Sequence, residues 1–236
     1  MAGKLLVSLA GNLAESRIQP GDIAMYGETI STDATAGSST LTGAQIATGL
    51  LVRTAGGAYT STPDTASNIL AALGFLPALG GTNTQFGAGL TDLSVGATFR
   101  HRFINAAAFA MTWNATVPEG LVYGSSAASM ALGATAGIWR DYLWTILNIT
   151  PRQSLSVVSN TSTTTTFSSP QPVGTITPGM WLSGTNVTSG TLVTGVIHGQ
   201  GTITGFTTSA ASTGSATQAW VFSPTVQVNQ IGSGTA

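Results

Sequence analysis

Between Thr98 and Ile104 the side chains alternate: Phe99, His101 and Phe103 fall on one side, Thr98, Arg100, Arg102 and Ile104 on the other. A two-residue period of this kind predicts a strand with one buried and one wetter face. Phe109, Met111 and Trp113 repeat it, and Leu121–Tyr123 follows a Pro-Glu-Gly turn. Gly137–Asn148 holds the bulkiest run in the chain, and Leu155–Val158 is expected to close the set. Strands joined by short, turn-rich links predict a mainly-β fold, with a β-sandwich or jelly-roll-like core over residues 61–158. Its expected core residues are Phe99, Phe103, Phe109, Met111, Trp113, Trp139, Leu143 and Ile146, with some tryptophans at subunit contacts.

One short helix interrupts the β pattern. Thr62 is its expected N-cap, Pro63 fits the first helical position, and Asp64 complements the positive helix end. Ala66, Ile69, Leu70 and Leu73 form one apolar face, and Gly74 is the expected stop. At about 11 residues such a helix needs a surface to pack on, because isolated helices of that length are marginal.

Upstream, residues 1–60 read as an N-terminal arm followed by a leader hairpin. Residues 1–40 lack a sustained period, as expected either of an arm lying on a neighbour or of a frayed terminus. Leu50–Arg53, Gly56-Gly57 and Tyr59-Thr60 read as strand, turn and strand. Phe75–Leu90 reads as a Gly-rich loop. Downstream, residues 159–169, with four threonines in a row, read as a Ser/Thr-rich linker or an exposed strand. Residues 170–236 read as a small C-terminal β-module built on Val173–Ile176, Met180–Leu182, Thr191–Val193, Thr202–Thr204 and Trp220–Phe222; Gln230–Ala236 carries no structural signal.

Composition changes this picture in one respect. Only 6% of the 236 residues are charged, against about 25% in an ordinary soluble domain. So weakly charged a surface is poorly protected from association, which suits a chain covered by partners. The net charge of −1 comes from seven basic and eight acidic residues without a run, so no nucleic-acid footprint is present. Cysteine is absent, which removes disulfides and thiolate chemistry. No apolar stretch nears the ~20 residues of a membrane span. The first residues loosely imitate a signal peptide, but the apolar run is short, and a soluble protein made without its own export signal is expected.

The search for chemistry yields no catalytic, cofactor-binding or metal-binding residue. His101 reads as a packed strand histidine and His198 as a turn residue at the surface. Neither has carboxylates or cysteines at ligand spacing. Glu119 and Asp141 are the acidic residues of the core stretch. A glycosidase pair needs a set separation that sequence does not give, and Asp141 beside Arg140 reads more simply as a surface pair. Trp113, Trp139, Tyr142 and Trp144 have the character of a sugar-binding strip, yet at strand spacing they suit a core or subunit interface. The Asn-x-Thr/Ser sites at Asn114, Asn148, Asn160 and Asn186 are expected by chance in so Thr-rich a chain.

Two stretches, Thr62-Pro-Asp-Thr-Ala-Ser-Asn-Ile-Leu-Ala-Ala-Leu and Val95-Gly-Ala-Thr-Phe-Arg-His-Arg-Phe-Ile-Asn, resemble a family of tailed-bacteriophage structural proteins. Gly120-Leu-Val-Tyr-Gly124 and Asn148-Ile-Thr-Pro151 match its turn and its late strand, and Leu41–Thr60 matches its leader. The resemblance covers about residues 41–158. Pro178–Val193 is similar to a glycine-rich β unit of phage and surface proteins, departing from it at Asn186 where glycine is usual.

The resemblance implies a structural virion protein of the kind that decorates heads or forms fibres, and no catalytic residue. The expected function is a capsid decoration (cement) protein on the capsid surface. Its expected partners are the major capsid protein and further copies of itself, as a homotrimer, with no nucleic acid and no membrane. The alternative is a head or tail fibre or spike module that binds host-surface glycans, with residues 170–224 as the tip. A third reading, a polysaccharide-cleaving spike enzyme, would be supported by a long β-helix repeat, and no such period is visible.

Overall fold

Three times in succession the chain lays one strand in one sheet and the next strand in another. The computed structural model describes residues 31–34, 37–73, 95–159, 164–172, 175–214 and 216–235. The first pair is β1 (Ser31–Asp33) and β2 (Ser39–Leu41), followed by helix α1 (Gly43–Ala47). The second is β3 (Leu50–Arg53) and β4 (Tyr59–Pro63), followed by α2 (Ala66–Ala72). The third is β5 (Thr98–Asn105) and β6 (Met111–Trp113). β1, β3 and β5 pair in parallel, and so do β2, β4 and β6. Layers therefore stack, with Ser31 beside Leu51 and Leu51 beside Phe103 in one sheet, and Ser39 beside Ser61 and Ser61 beside Trp113 in the other.

The helices fix the spacing of these layers. Thr42 caps α1 in a reciprocal capping box with Gln45, and Thr65 caps α2 by accepting from the Asn68 N–H. The Asp64 carboxylate accepts from the Gly43 N–H at 3.0 Å and from Asn68 Nδ2 at 2.7 Å, tying the two helix starts together. At Gly43 a Cβ would lie 2.5 Å from the Asn68 carbonyl oxygen, so only glycine permits the approach.

Two expectations are corrected here. Leu50–Arg53 and Tyr59–Thr60 are not a hairpin, because they belong to different sheets. The helix starts later than Thr62 because Pro63 ends β4 beside Leu41, which leaves Thr65 as the cap. Its inward face is the expected Ala66, Ile69, Leu70 and Leu73. Most of residues 1–40, the loop Phe75–Leu90 and the stop at Gly74 lie outside the described residues.

The first sheet is completed by β7 (Leu121–Tyr123), β8 (Ile138–Asn148) and β15 (Thr225–Thr235), in the order β1-β3-β5-β8-β15-β7. A third helix, α3 (Ala127–Met130), lies between β7 and β8. The inner face of this sheet meets the three-stranded sheet across one apolar cluster. Phe99 stacks on Trp144 at 6.0 Å, and Trp113 lies edge-on to Tyr142 at 5.1 Å. Trp113 Nε1 donates to the Tyr142 hydroxyl at 3.1 Å, which donates onward to the Met130 carbonyl at 2.6 Å.

Phe99, Phe103, Met111, Trp113 and Ile146 are buried as expected, but Phe109 is 40% exposed, in a bend ahead of β6. On β8 the buried phase is Tyr142, Trp144 and Ile146, so Trp139 and Leu143 face outward, half-buried. That strand is bulky on both faces, which hides its phase from the pattern.

The remaining strands form a wholly antiparallel second six-stranded sheet: β9 (Gln153–Ser159), β10 (Thr164–Pro172), β11 (Trp181–Ser183), β12 (Val193–Gly199), β13 (Thr202–Thr208) and β14 (Ala216–Ser223), in the order β11-β14-β9-β10-β13-β12. Phe206 packs edge-on against Phe222 at 5.1 Å and against Trp220 at 6.1 Å in its core. Gln200 and Gly201, both at positive φ (48° and 80°), make the tight turn between β12 and β13.

The described part of residues 159–169 is therefore strand rather than linker. Leu155–Val158 lies in the second sheet, not the first. The expected C-terminal module over 170–236 is likewise corrected, because β15 returns to the first sheet, pairing with β8 from Asn148 to Ile138 and with β7. Residues 153–223 are thus inserted between two neighbouring strands of the core sheet. Both crossings are held by one carboxylate: Glu119 accepts from Arg152 Nε at 2.6 Å and from the Ser223 hydroxyl. Asn148 adds bonds from Nδ2 to Thr177 Oγ1 at 2.8 Å and to the Pro178 carbonyl at 2.9 Å.

Candidate functional site

Along β5 the wetter face of the alternation points away from the core, and its neighbours in register complete the surface. Leu50 lies beside Arg102 and Val52 beside Ile104 on one flank; Leu143 lies beside Arg100, Asp141 beside Arg102 and Trp139 beside Ile104 on the other. All of these except Asp141 are half-buried or more exposed. On the outer face of the core sheet three charges are thus bordered by apolar side chains, with Thr98, Thr145, Gln227 and Asn229 continuing the same face as polar positions.

Asp141 is 1% exposed, while the Arg100 and Arg102 side chains are 36% and 39% exposed. Arg102 grips the carboxylate with two bonds, Nε to Oδ1 at 2.7 Å and a terminal nitrogen to Oδ2 at 2.8 Å, and Arg100 donates to Oδ2 as well. Burial alone would raise the Asp141 pKa, but hydrogen bonds and charge from Arg102 and Arg100 outweigh it and hold the carboxyl below its ordinary value. The same bond from Arg102 to Asp141 keeps that guanidinium firmly protonated.

Arg102 also lies over the Trp139 ring, 4.2 Å from its centroid. Across β15, Trp139 faces Gly234 and Asp141 faces Gly232. A Cβ at Gly234 would come within 2.7 Å of the Trp139 ring, so glycine is what lets the indole lie down on the strand.

Sequence reading placed Arg100 and Arg102 on the correct face but gave them no role, and it paired Asp141 with Arg140. Arg140 instead donates to the Ala131 carbonyl at 3.0 Å. The signal that finds the cluster is cross-strand register: two arginines two residues apart opposite one carboxylate.

The other candidate residues are not brought to one place. His101 is fully buried between the Phe103 and Tyr142 rings, and burial, opposed by the Asp141 charge, lowers its pKa to about 4. His198 is exposed, on strand β12 rather than in a turn. Glu119 belongs to the crossing between the sheets. Trp113, Tyr142 and Trp144 are buried in the core while Trp139 lies outside it, so the four do not form one strip. Among the described residues no group of three or more His, Cys, Asp or Glu is placed to hold a metal, and no helix is long and apolar enough to cross a membrane. The cavity between Leu182, Val187, Thr208 and Trp220 is water-sized.

No protein-family model matches the chain, and no curated protein sequence matches it.

Proposed function

We propose that this chain is a structural virion protein of a tailed bacteriophage: a capsid decoration (cement) protein that binds the assembled head as a homo-oligomer and does no covalent chemistry. The observation that carries the reading is the outer face of the core sheet. Around its anchored guanidinia lie the half-buried apolar side chains Leu50, Val52, Ile104, Trp139 and Leu143, with uncharged polar residues beyond them, on a chain that carries only 6% charged residues. Such a surface suits a permanent or near-permanent contact better than open solvent. The family resemblance over about residues 41–158 points the same way.

The mechanism is mass action. A protein that binds only the assembled shell stabilises it by RT ln(1 + [L]/Kd), about 2.7 kcal/mol per site at a hundredfold excess over Kd. The major capsid protein and further copies of this chain are the partners, and the capsid surface is the location.

The test is to add purified full-length protein to heads assembled without it. Stoichiometric co-sedimentation and a raised melting temperature of the shell are expected. Failure to bind heads, together with binding to a host-surface glycan array, would replace this reading with that of a fibre module.

A further inference from the structure

We propose that Arg100 and Arg102 form a receptor for a carboxylate: a Glu or Asp side chain, flanked by apolar residues, on an extended segment of the shell subunit. This deepens the assembly reading and rests on it.

Charge is the first argument. Two guanidinia share one carboxylate, so the cluster carries a surplus positive charge, and its negative member lies beneath its positive ones. What faces solvent is the outward side of two guanidinium groups, whose planar N–H forks match a second carboxylate.

Order is the second. Arg102 is clamped by two bonds to Asp141 and stacked on Trp139, and Trp139 is seated against Gly234. Groups already fixed lose little rotamer freedom on binding.

Surroundings are the third. Leu50, Ile104 and Leu143 border the pair. When a partner covers them the dielectric falls and a guanidinium–carboxylate bond strengthens.

The occupant is assigned to the shell subunit because, among the described residues, this chain offers no unengaged carboxylate for the role. Each carboxylate among the described residues is already engaged in its own chain: Asp33 by Arg53, Asp64 by Gly43, Thr65 and Asn68, Glu119 by Arg152 and Ser223, and Asp141 by the cluster itself. A facing copy of the same surface would bring like charge against like charge. Nucleic acid is disfavoured because, among the described residues, no further basic side chain is in register with the pair.

The experiment measures binding of full-length wild type, Arg100→Gln and the double variant Arg100→Gln/Arg102→Gln to heads assembled without this chain. Thermal unfolding serves as the fold control. Arg100→Gln leaves Asp141 both bonds from Arg102, so the single variant keeps its fold even where the double variant does not.

Binding is expected to weaken about tenfold for Arg100→Gln and about a hundredfold for the double variant, with a smaller loss when both arginines become lysine. Wild-type affinity for heads in a folded Arg100→Gln protein would overturn the receptor while leaving the assembly reading intact. Absence of wild-type binding would overturn both. Competition by millimolar glucuronate or N-acetylneuraminate in place of head binding would assign the site to a glycan. Dissociation of an oligomer by Arg100→Gln would assign it to a contact between copies. Either result overturns the proposal.

Discussion

The cluster between the core sheet and the three-stranded sheet buries Arg53, Ser61, His101 and Asn105 among its aromatics, whereas the cluster of the antiparallel sheet is Ile176, Met180, Leu182, Val193, Ile203, Phe206, Trp220 and Phe222, bordered by hydroxyls such as Thr191 and Thr208. The difference follows from how each region is assembled. The antiparallel sheet includes neighbours along the chain, such as β9–β10 and β12–β13, so tight turns and alternation specify much of it. The parallel stack joins segments far apart in sequence, and buried polar pairs such as Arg53–Asp33 help to fix which layer lies on which. The first region is therefore expected to respond to charge and pH, and the second mainly to volume.

Truncation of a buried ring should be the largest effect and should be similar in both regions. Phe103→Ala and Phe206→Ala each remove a fully buried side chain, and each is expected to cost about 3–5 kcal/mol in urea unfolding. An unchanged midpoint for either would remove that ring from its core.

Charge separates the regions next. The Arg53 side chain is 1% exposed, bonded to Asp33 at 2.7 Å and lying 3.8 Å from the Tyr59 ring centroid. Asp33→Asn leaves a buried guanidinium short of its counter-charge and is expected to destabilise the chain by about 3 kcal/mol. A loss no larger than that of an exposed Asp→Asn change would mean that β1 does not hold its place beside β3.

The comparison also explains what was legible in the sequence. Phe99, His101 and Phe103 were read correctly as one face because polar residues occupy the other. The phase of β8 is ambiguous in the sequence because large apolar residues, Trp139 and Leu143 on one face and Tyr142 and Trp144 on the other, occur on both. The stacked layers escaped detection because their spacing is unequal: Ser31 pairs with Leu51, but Leu51 with Phe103. The return of β15 is hidden by its composition, since Gly232, Ser233 and Gly234 give no alternation, and Gly234 is needed instead to seat Trp139. For the candidate site, the face was legible but the register was not, so Arg100, Arg102 and Asp141 did not come together.

A smaller, pH-dependent effect belongs to His101. Burial lowers its pKa to about 4, against about 6.5 in an unfolded chain. The folded state excludes a proton that the unfolded state takes up. Stability is thus complete above about pH 6.5 and falls as pH drops toward 4. Between pH 7 and 5 a loss of roughly 1–2 kcal/mol is expected in the urea midpoint, and His101→Phe should flatten the profile over that range. A wild-type profile already flat there would contradict a neutral, buried His101.

The smallest effect is expected where the regions meet. Hydrogen bonds and charge from Arg152, with a bond from Ser223, outweigh burial and hold Glu119 below its ordinary pKa. Its contribution is present above the unfolded carboxyl pKa and lost as pH falls through the lower folded value. Because Arg152 is 51% exposed, Glu119→Gln is expected to cost only about 1 kcal/mol. The variant should chiefly raise hydrogen exchange at Arg152 and Ser223, and unaltered exchange at both would deny that Glu119 holds the crossings.

The central claim is that the outer face of the core sheet meets the shell. Cryo-electron microscopy of heads decorated with the full-length chain tests it most directly. The account predicts that Arg100, Arg102 and Trp139 lie against the capsid surface, with the sheet formed by residues 153–223 turned away from it. Heads carrying the protein by that second sheet, with the arginine pair facing solvent, would contradict it.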